Sequence, residues 1–191
     1  MNFYKVAVKV VNAVLHVAIL FKVKGKENIP KEGAFLLCSN HRAYRDAVLL
    51  AAGCKRQLTF MAKDDLFKKP FLGWLIKKLG AFPIKRGRGD AAAVMAAIKI
   101  MKRGEPTLVF PEGTRVADGE RKAASAGIVR LAIQANVPIL PAHVSKNTVT
   151  YGTPVSYADF AEQAQDSEVM QKLTDELMEN IYSLGTVKRI G

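Results

Sequence analysis

Short apolar runs alternate with helical segments from Ala34 to Val144, and this alternation constrains the fold more than any other feature. The runs are Ala34-Phe35-Leu36-Leu37-Cys38, Gln57 to Ala62, Ala81-Phe82-Pro83-Ile84, Thr107-Leu108-Val109-Phe110 and Pro138 to Val144. Each is strand-sized and followed by polar or glycine-containing residues. Between them lie segments with helical spacing. One runs from Ala47 to Ala52 before Gly53. Another runs from Leu66 to Leu79, split by Pro70 and closed by Gly80. A third runs from an Asp90 cap to Arg103 before Gly104, and a fourth passes through Ile128, Leu131, Ala132 and Ala135 to Asn136. Thr148 to Val155 reads as extended, and Ala158 to about Leu184 as an acidic amphipathic helical tail. Strand and helix in turn predict one α/β domain, a mixed, largely parallel sheet flanked by helices. In such sheets the loops after the strands share one rim.

A chain of 191 residues, nearly half of them hydrophobic, suffices for one good-sized domain. Cys38 and Cys54 sit in apolar settings without metal-ligand spacing, so they read as core thiols of a reducing compartment. The net charge of +12 is uneven: residues 55–103 hold 13 Lys and Arg against 3 Asp and Glu, residues 104–191 hold 8 against 11. A localised basic stretch selects an anionic partner, whether nucleic acid, a membrane surface or a phosphorylated substrate.

The N-terminus carries an uncharged run, Val10 to Phe21, of twelve residues. About 20 are needed to span a bilayer. Lys22-Val23-Lys24-Gly25-Lys26 offers no small-residue cleavage site. Residues 1–24 therefore read as an N-terminal helix in the membrane interface, its lysines reaching lipid phosphates, or as a core helix. The interfacial reading divides the chain into 1–24 and a domain over 25–191.

Four stretches carry candidate chemistry. Ser39-Asn40-His41-Arg42-Ala43-Tyr44-Arg45-Asp46 follows a strand and opens a helix. His41 and Asp46 are spaced so that a loop imidazole can fold back onto a carboxylate of the first helical turn. Such a pair makes a base, the carboxylate fixing the tautomer of the imidazole; the same pair also reads as a helix cap. No Gly-x-Ser-x-Gly elbow supplies a nucleophile, so a base here acts on a substrate hydroxyl. Phe110-Pro111-Glu112-Gly113-Thr114-Arg115 places an acid, backbone N–H groups, a hydroxyl and a guanidinium in one loop. Gly113 lets the backbone approach a ligand, and Arg115 suits bidentate phosphate binding. Gly80 to Arg88 ends in Lys85, Arg86 and Arg88, an anion site or a solvated loop. Val137-Pro138-Ile139-Leu140-Pro141-Ala142 reads as wall.

These stretches, in this order, resemble the signature blocks of the glycerolipid acyltransferase family. Asn40, His41 and Asp46 match Asn-His-x-x-x-x-Asp; Gly80, Phe82, Ile84 and Arg86 match the second block; Phe110 to Arg115 match Phe-Pro-Glu-Gly-Thr-Arg residue for residue; Val137, Pro138, Ile139 and Pro141 match the fourth. Met61 to Phe67 is similar to the family's Ala-Lys-x-x-Leu-Phe stretch. Lys85 stands where many members carry an acid.

The resemblance implies transfer of a fatty acyl chain from an acyl thioester, acyl-CoA or acyl carrier protein, to the sn-2 hydroxyl of lysophosphatidic acid, giving phosphatidic acid. It implies His41 and Asp46 as catalytic residues. Arg86, Glu112, Gly113, Thr114 and Arg115 are implied as substrate-binding, the arginines on the acceptor phosphate. It implies no metal and no cofactor, and a peripheral or monotopic place on an anionic membrane surface at the cytoplasmic face. Glycerol-3-phosphate, dihydroxyacetone phosphate or an ornithine lipid are alternative acceptors. A basic nucleic-acid-binding protein is the competing class, and the ordered blocks argue against it.

Overall fold

The computed structural model describes residues 6, 8, 20–54, 56–78, 80–84, 91–117 and 120–185. The strands are β1 (Lys22–Lys24), β2 (Leu36–Ser39), β3 (Thr59–Lys63), β4 (Ala81–Ile84), β5 (Thr107–Val109), β6 (Ile139–Ser145) and β7 (Thr148–Tyr151). The helices are α1 (Asp46–Gly53), α2 (Asp64–Phe67), α3 (Pro70–Lys78), α4 (Ala91–Lys102), α5 (Gly127–Ala135) and α6 (Ser167–Ser183). The sheet runs β1-β7-β6-β2-β5-β3-β4, and its neighbours are parallel except β6 and β7. This is the mixed, largely parallel α/β domain that the alternation predicts.

Period-two burial distributes the strands between two cores. Leu36, Cys38, Val109 and Ile139 face one side, where α4, α5 and α6 bring Ala97, Met101, Val129, Leu131, Met170, Leu177 and Ile181. Leu37, Leu108, Leu140, Ala142 and Val144 face the other, packed with Leu49 and Leu50 of α1 and with Phe35, Leu58 and Tyr151. Covering both faces explains why β2 reads as continuously apolar rather than alternating.

Two boundaries differ from expectation. Lys22–Lys24, expected in the N-terminal helix, form β1, parallel to Thr148–Thr150 of β7. Phe21 is buried between exposed neighbours, and the lysines alternate with half-buried Val23, which is strand periodicity. Most of the expected helix lies outside the described residues. The acidic tail is not helical from Ala158: a 3-10 turn, Ala158–Phe160, comes first. The helix α6 begins at Ser167, where the Asp166 side chain accepts from Glu168 and Val169 N–H. Its apolar stripe starts only at Met170.

Gly80 closes the turn into β4 with φ 92°, and a Cβ there would lie 2.6 Å from the Leu58 carbonyl oxygen. Only glycine meets both demands. The basic loop after β4, with Arg86, lies outside the described residues.

Candidate active site

Strand register assembles the site. Adjacent parallel strands β2 and β5 place Cys38 opposite Val109. Three residues further on, the two chains present His41 and Glu112, and the His41 N–H donates to Glu112 Oε2 at 2.7 Å. The Val116 N–H donates to the His41 carbonyl at 2.9 Å, so the loop after β5 grips both polar groups of the His41 backbone. Glu112 is buried, and its other oxygen accepts from the Tyr182 hydroxyl at 2.7 Å. Burial first, then this contact with Glu112, pushes the Tyr182 phenol up to about 12. Arg121 braces the same ring from 4.7 Å and meets Glu179 at 2.5 Å. Glu112 thus joins the two loops to the end of α6, with both carboxylate oxygens occupied by protein donors.

Asn40 anchors the other side. Its Nδ2 donates to the Val144 carbonyl at 3.0 Å and its Oδ1 accepts from the Val144 N–H at 2.8 Å. The amide continues the β2–β6 ladder past the end of the strand, which is why Asn suits this buried position. Ser39 is fully buried, its hydroxyl 3.2 Å from the Asn40 carbonyl.

With its backbone held, the His41 ring is oriented by two contacts. Nδ1 lies 3.1 Å from Asp46 Oδ2, and the ring stacks on Phe110 at 3.9 Å between centroids, 14° from parallel. The same Asp46 oxygen accepts from the Arg42 and Ala43 N–H groups at 2.6 and 2.7 Å. Burial opposes the Asp46 charge, but the His41 contact and the two backbone donors outweigh it and lower its pKa. An ionised carboxylate can only accept, so Nδ1 carries a proton, and in the neutral imidazole Nε2 is then the nitrogen with the lone pair. Nε2 makes no hydrogen bond to the described residues, and the side chain is 18% exposed. The arrangement can take a proton from a hydroxyl brought to Nε2.

Gly113 has φ 67° and its N–H donates to the Phe110 carbonyl at 3.0 Å. A Cβ there would meet nothing, so the turn conformation, not crowding, calls for glycine. Thr114 is half-buried in the same turn. Arg115 is exposed, its guanidinium carbon 3.8 Å above the Tyr44 ring, and no carboxylate pairs with it among the described residues. An aromatic face holds a cation without consuming its N–H donors. The structure therefore brings together His41, Asp46, Glu112, Gly113, Thr114 and Arg115; Arg86 lies outside the described residues. Three contacts escaped the sequence reading: Phe110 stacked on His41, Tyr44 beneath Arg115, and Tyr182 on Glu112. The first two lie inside matched blocks; Tyr182 carries no local signal.

The acyltransferase family model matches residues 20–145. The 1-acyl-sn-glycerol-3-phosphate acyltransferase of Bacillus subtilis is 29% identical, over 95% of this chain and 96% of that one. The enzyme so named in Pseudomonas aeruginosa is 31% identical over 74% of this chain but 55% of its own length. The lyso-ornithine lipid O-acyltransferase of the same organism is 31% identical over 67% of this chain and 49% of its own. The crystal structure of the 1-acyl-sn-glycerophosphate (LPA) acyltransferase of Thermotoga maritima superposes with a TM-score of 0.63 at 26% identity, covering 92% of this chain and 81% of that one. With the first and third matched blocks joined where β2 and β5 end, and a family model covering well over half the sequence, the chain belongs to the acyltransferase family.

Proposed function

We propose that the protein transfers a fatty acyl chain from an acyl thioester to the sn-2 hydroxyl of lysophosphatidic acid, giving phosphatidic acid. The observation that carries this is the His41 ring, locked by Asp46 and Phe110 with Nε2 open, beside an Arg115 that no carboxylate among the described residues neutralises. The acceptor hydroxyl attacks the thioester carbonyl as His41 Nε2 takes its proton. Asp46 stabilises the imidazolium. Collapse of the tetrahedral intermediate breaks the carbon–sulfur bond, and His41 returns the proton to the departing thiolate. The products are the ester and a free thiol. Ser39 is buried and bonded to its neighbour, which supports direct transfer without an acyl-enzyme. Glu112 acts as a strut between the loops. Arg115, with Arg86, binds the acceptor phosphate, and the turn through Gly113 and Thr114 carries Arg115 into place. Every proton in this scheme moves between His41 and the substrates, so no cofactor is required.

The acceptor lives in a membrane, and we place the protein peripherally on an anionic surface at the cytoplasmic face. No helix among the described residues is long and apolar enough to cross a bilayer. Trp74 is 49% exposed on α3, and Lys68, Lys69, Lys77 and Lys78, in and just before that helix, are exposed. An exposed Trp flanked by lysines suits lipid headgroups.

The test is acceptor profiling of purified protein in detergent. Lysophosphatidic acid, glycerol-3-phosphate and a lyso-ornithine lipid are each offered with palmitoyl-CoA and palmitoyl carrier protein. Lysophosphatidic acid should give the highest kcat/KM, and His41→Ala should lower kcat by about 10²–10⁴ without loss of fold, the usual contribution of a positioned base. A preferred acceptor lacking the phosphate, or a His41→Ala enzyme with normal turnover, refutes the reading.

A further inference from the structure

The proposed reaction joins two phosphorylated substrates, and Arg115 accounts for only one of them. A second cationic site lies on the other side of the His41 loop. A cleft of about 450 Å³ is bounded by that loop, by Val116 and Ala117, and by the β6–β7 hairpin. Among the described residues, its charged and titratable lining is Arg42, Arg45, His143, Lys146 and Asp46. Neither Tyr44 nor Arg115 lines it.

The cations are available to a ligand. Arg42 donates to the Ala117 and Glu120 carbonyls, the latter at 2.8 Å, both through Nη1. Its Nε and Nη2 make no hydrogen bond to the described residues, and Arg45 and Lys146 form no ion pair among them. Among the described residues of the lining the one carboxylate, Asp46, is committed to His41 and two backbone donors. Lys146 sits at the hairpin tip with φ 45°, a backbone state that glycine or asparagine adopts at lower cost. The volume suits a small-molecule site. Because Asp46 lines the cleft while gripping His41, a ligand there lies beside the reacting centre without touching the acceptor clamp.

We infer that this cleft binds the phosphate groups of the acyl donor, leaving Arg115 to the acceptor. The inference rests on the acyl-transfer reading above. Coenzyme A and acyl carrier protein share a phosphate on the pantetheine arm, and coenzyme A adds nucleotide phosphates. Guanidinium and ammonium groups recognise either.

The experiment compares wild type with Arg45→Ala/Lys146→Ala, using palmitoyl-CoA, palmitoyl carrier protein and S-palmitoyl-pantetheine, which has no phosphate. The double variant should raise KM for palmitoyl-CoA about tenfold or more, the effect of losing one good charged contact. KM for the phosphate-free donor and for lysophosphatidic acid should stay within about twofold, which also shows that the variant is folded. A parallel rise with acyl carrier protein assigns the pantetheine phosphate. A rise with palmitoyl-CoA alone assigns the nucleotide phosphates; both uphold the inference. It is overturned by an unchanged palmitoyl-CoA KM, by an equal rise with the phosphate-free donor, by a rise confined to the carrier protein, or by a rise in acceptor KM instead. Absence of lysophosphatidic acid turnover in wild type sinks the acceptor reading; an active enzyme with unaltered donor KM sinks only this inference.

Discussion

Tyr182→Phe removes one oxygen from the path that runs from Arg121 through Tyr182 and Glu112 to the His41 backbone. The ring stays, so packing against Arg121 is kept while the 2.7 Å hydrogen bond to Glu112 is lost. The acceptor is a carboxylate that is only 2% exposed, so solvent replaces the lost donor poorly. A hydrogen bond to a charged group contributes about 1.5–3 kcal/mol. In a chain of this size about 1 kcal/mol moves Tm by about 2–4 °C, so Tm should fall by about 3–12 °C. The pH dependence carries a sign. The Tyr182 pKa, raised from the ordinary 10.0 to about 12, means the folded state keeps its proton longer than the unfolded state. The contribution is fully present below pH 10 and is lost as pH rises towards about 12. Thermal melts at pH 7 and across the alkaline range, by circular dichroism, should show a lower Tm for Tyr182→Phe and a shallower alkaline decline. Because Glu112 still holds the His41 N–H, kcat should fall by less than about tenfold, with acceptor KM unmoved. A Tm within about 1 °C of wild type, with an unchanged alkaline slope, refutes the strut.

Tyr44→Leu removes the surface under Arg115. It should raise KM for lysophosphatidic acid about two- to fivefold with kcat retained, since an exposed cation–π contact is worth about 0.5–1 kcal/mol. Tyr44→Phe should restore the wild-type value, and equal kinetics for all three proteins in the acylation assay remove the stack from acceptor binding. Asn40→Ala strands the Val144 N–H and carbonyl in a fully buried position, at about 1–3 kcal/mol for each. Denaturant unfolding should show that loss as a lower midpoint with unchanged slope; an unaltered midpoint contradicts the clamp.

The blocks that carry chemistry were legible because they sit where strands end, and strand ends are set by local pattern. The alternation of Leu36-Leu37-Cys38 with the Ala47–Ala52 segment predicts both elements, and the His41–Asp46 contact follows from a short loop closing on the first turn of a helix. The role of Glu112 was not legible. An acid in a glycine-containing loop reads as a ligand for solvent or substrate. Only the Cys38–Val109 register, a property of two segments far apart in sequence, turns its carboxylate onto the His41 N–H. Tyr182 is further still from any local cue, since its helix meets the loop only through the core that it shares with α4 and α5. The start of that helix was misplaced because Ala158 to Asp166 has helix-compatible composition, while the deciding signal is one capping side chain.

That division clarifies why the conspicuous residues of a block need not all meet substrate. In the first block, His41 and Asp46 form the proposed chemical pair, while Asn40 is spent on the ladder to β6. In the third, Arg115 faces outward, while Glu112 is spent on the His41 backbone and Tyr182. The structural members have a kinetic consequence all the same. A base works only while its ring stays within hydrogen-bond reach of the hydroxyl, and displacement by about 1 Å costs up to about 10²-fold. His41 sits on a loop, the least constrained kind of backbone, yet its N–H, its carbonyl, its Nδ1 and its ring face are each held by a different residue. Among the described residues only Nε2 is left without a partner, and that is the atom the proposed reaction uses.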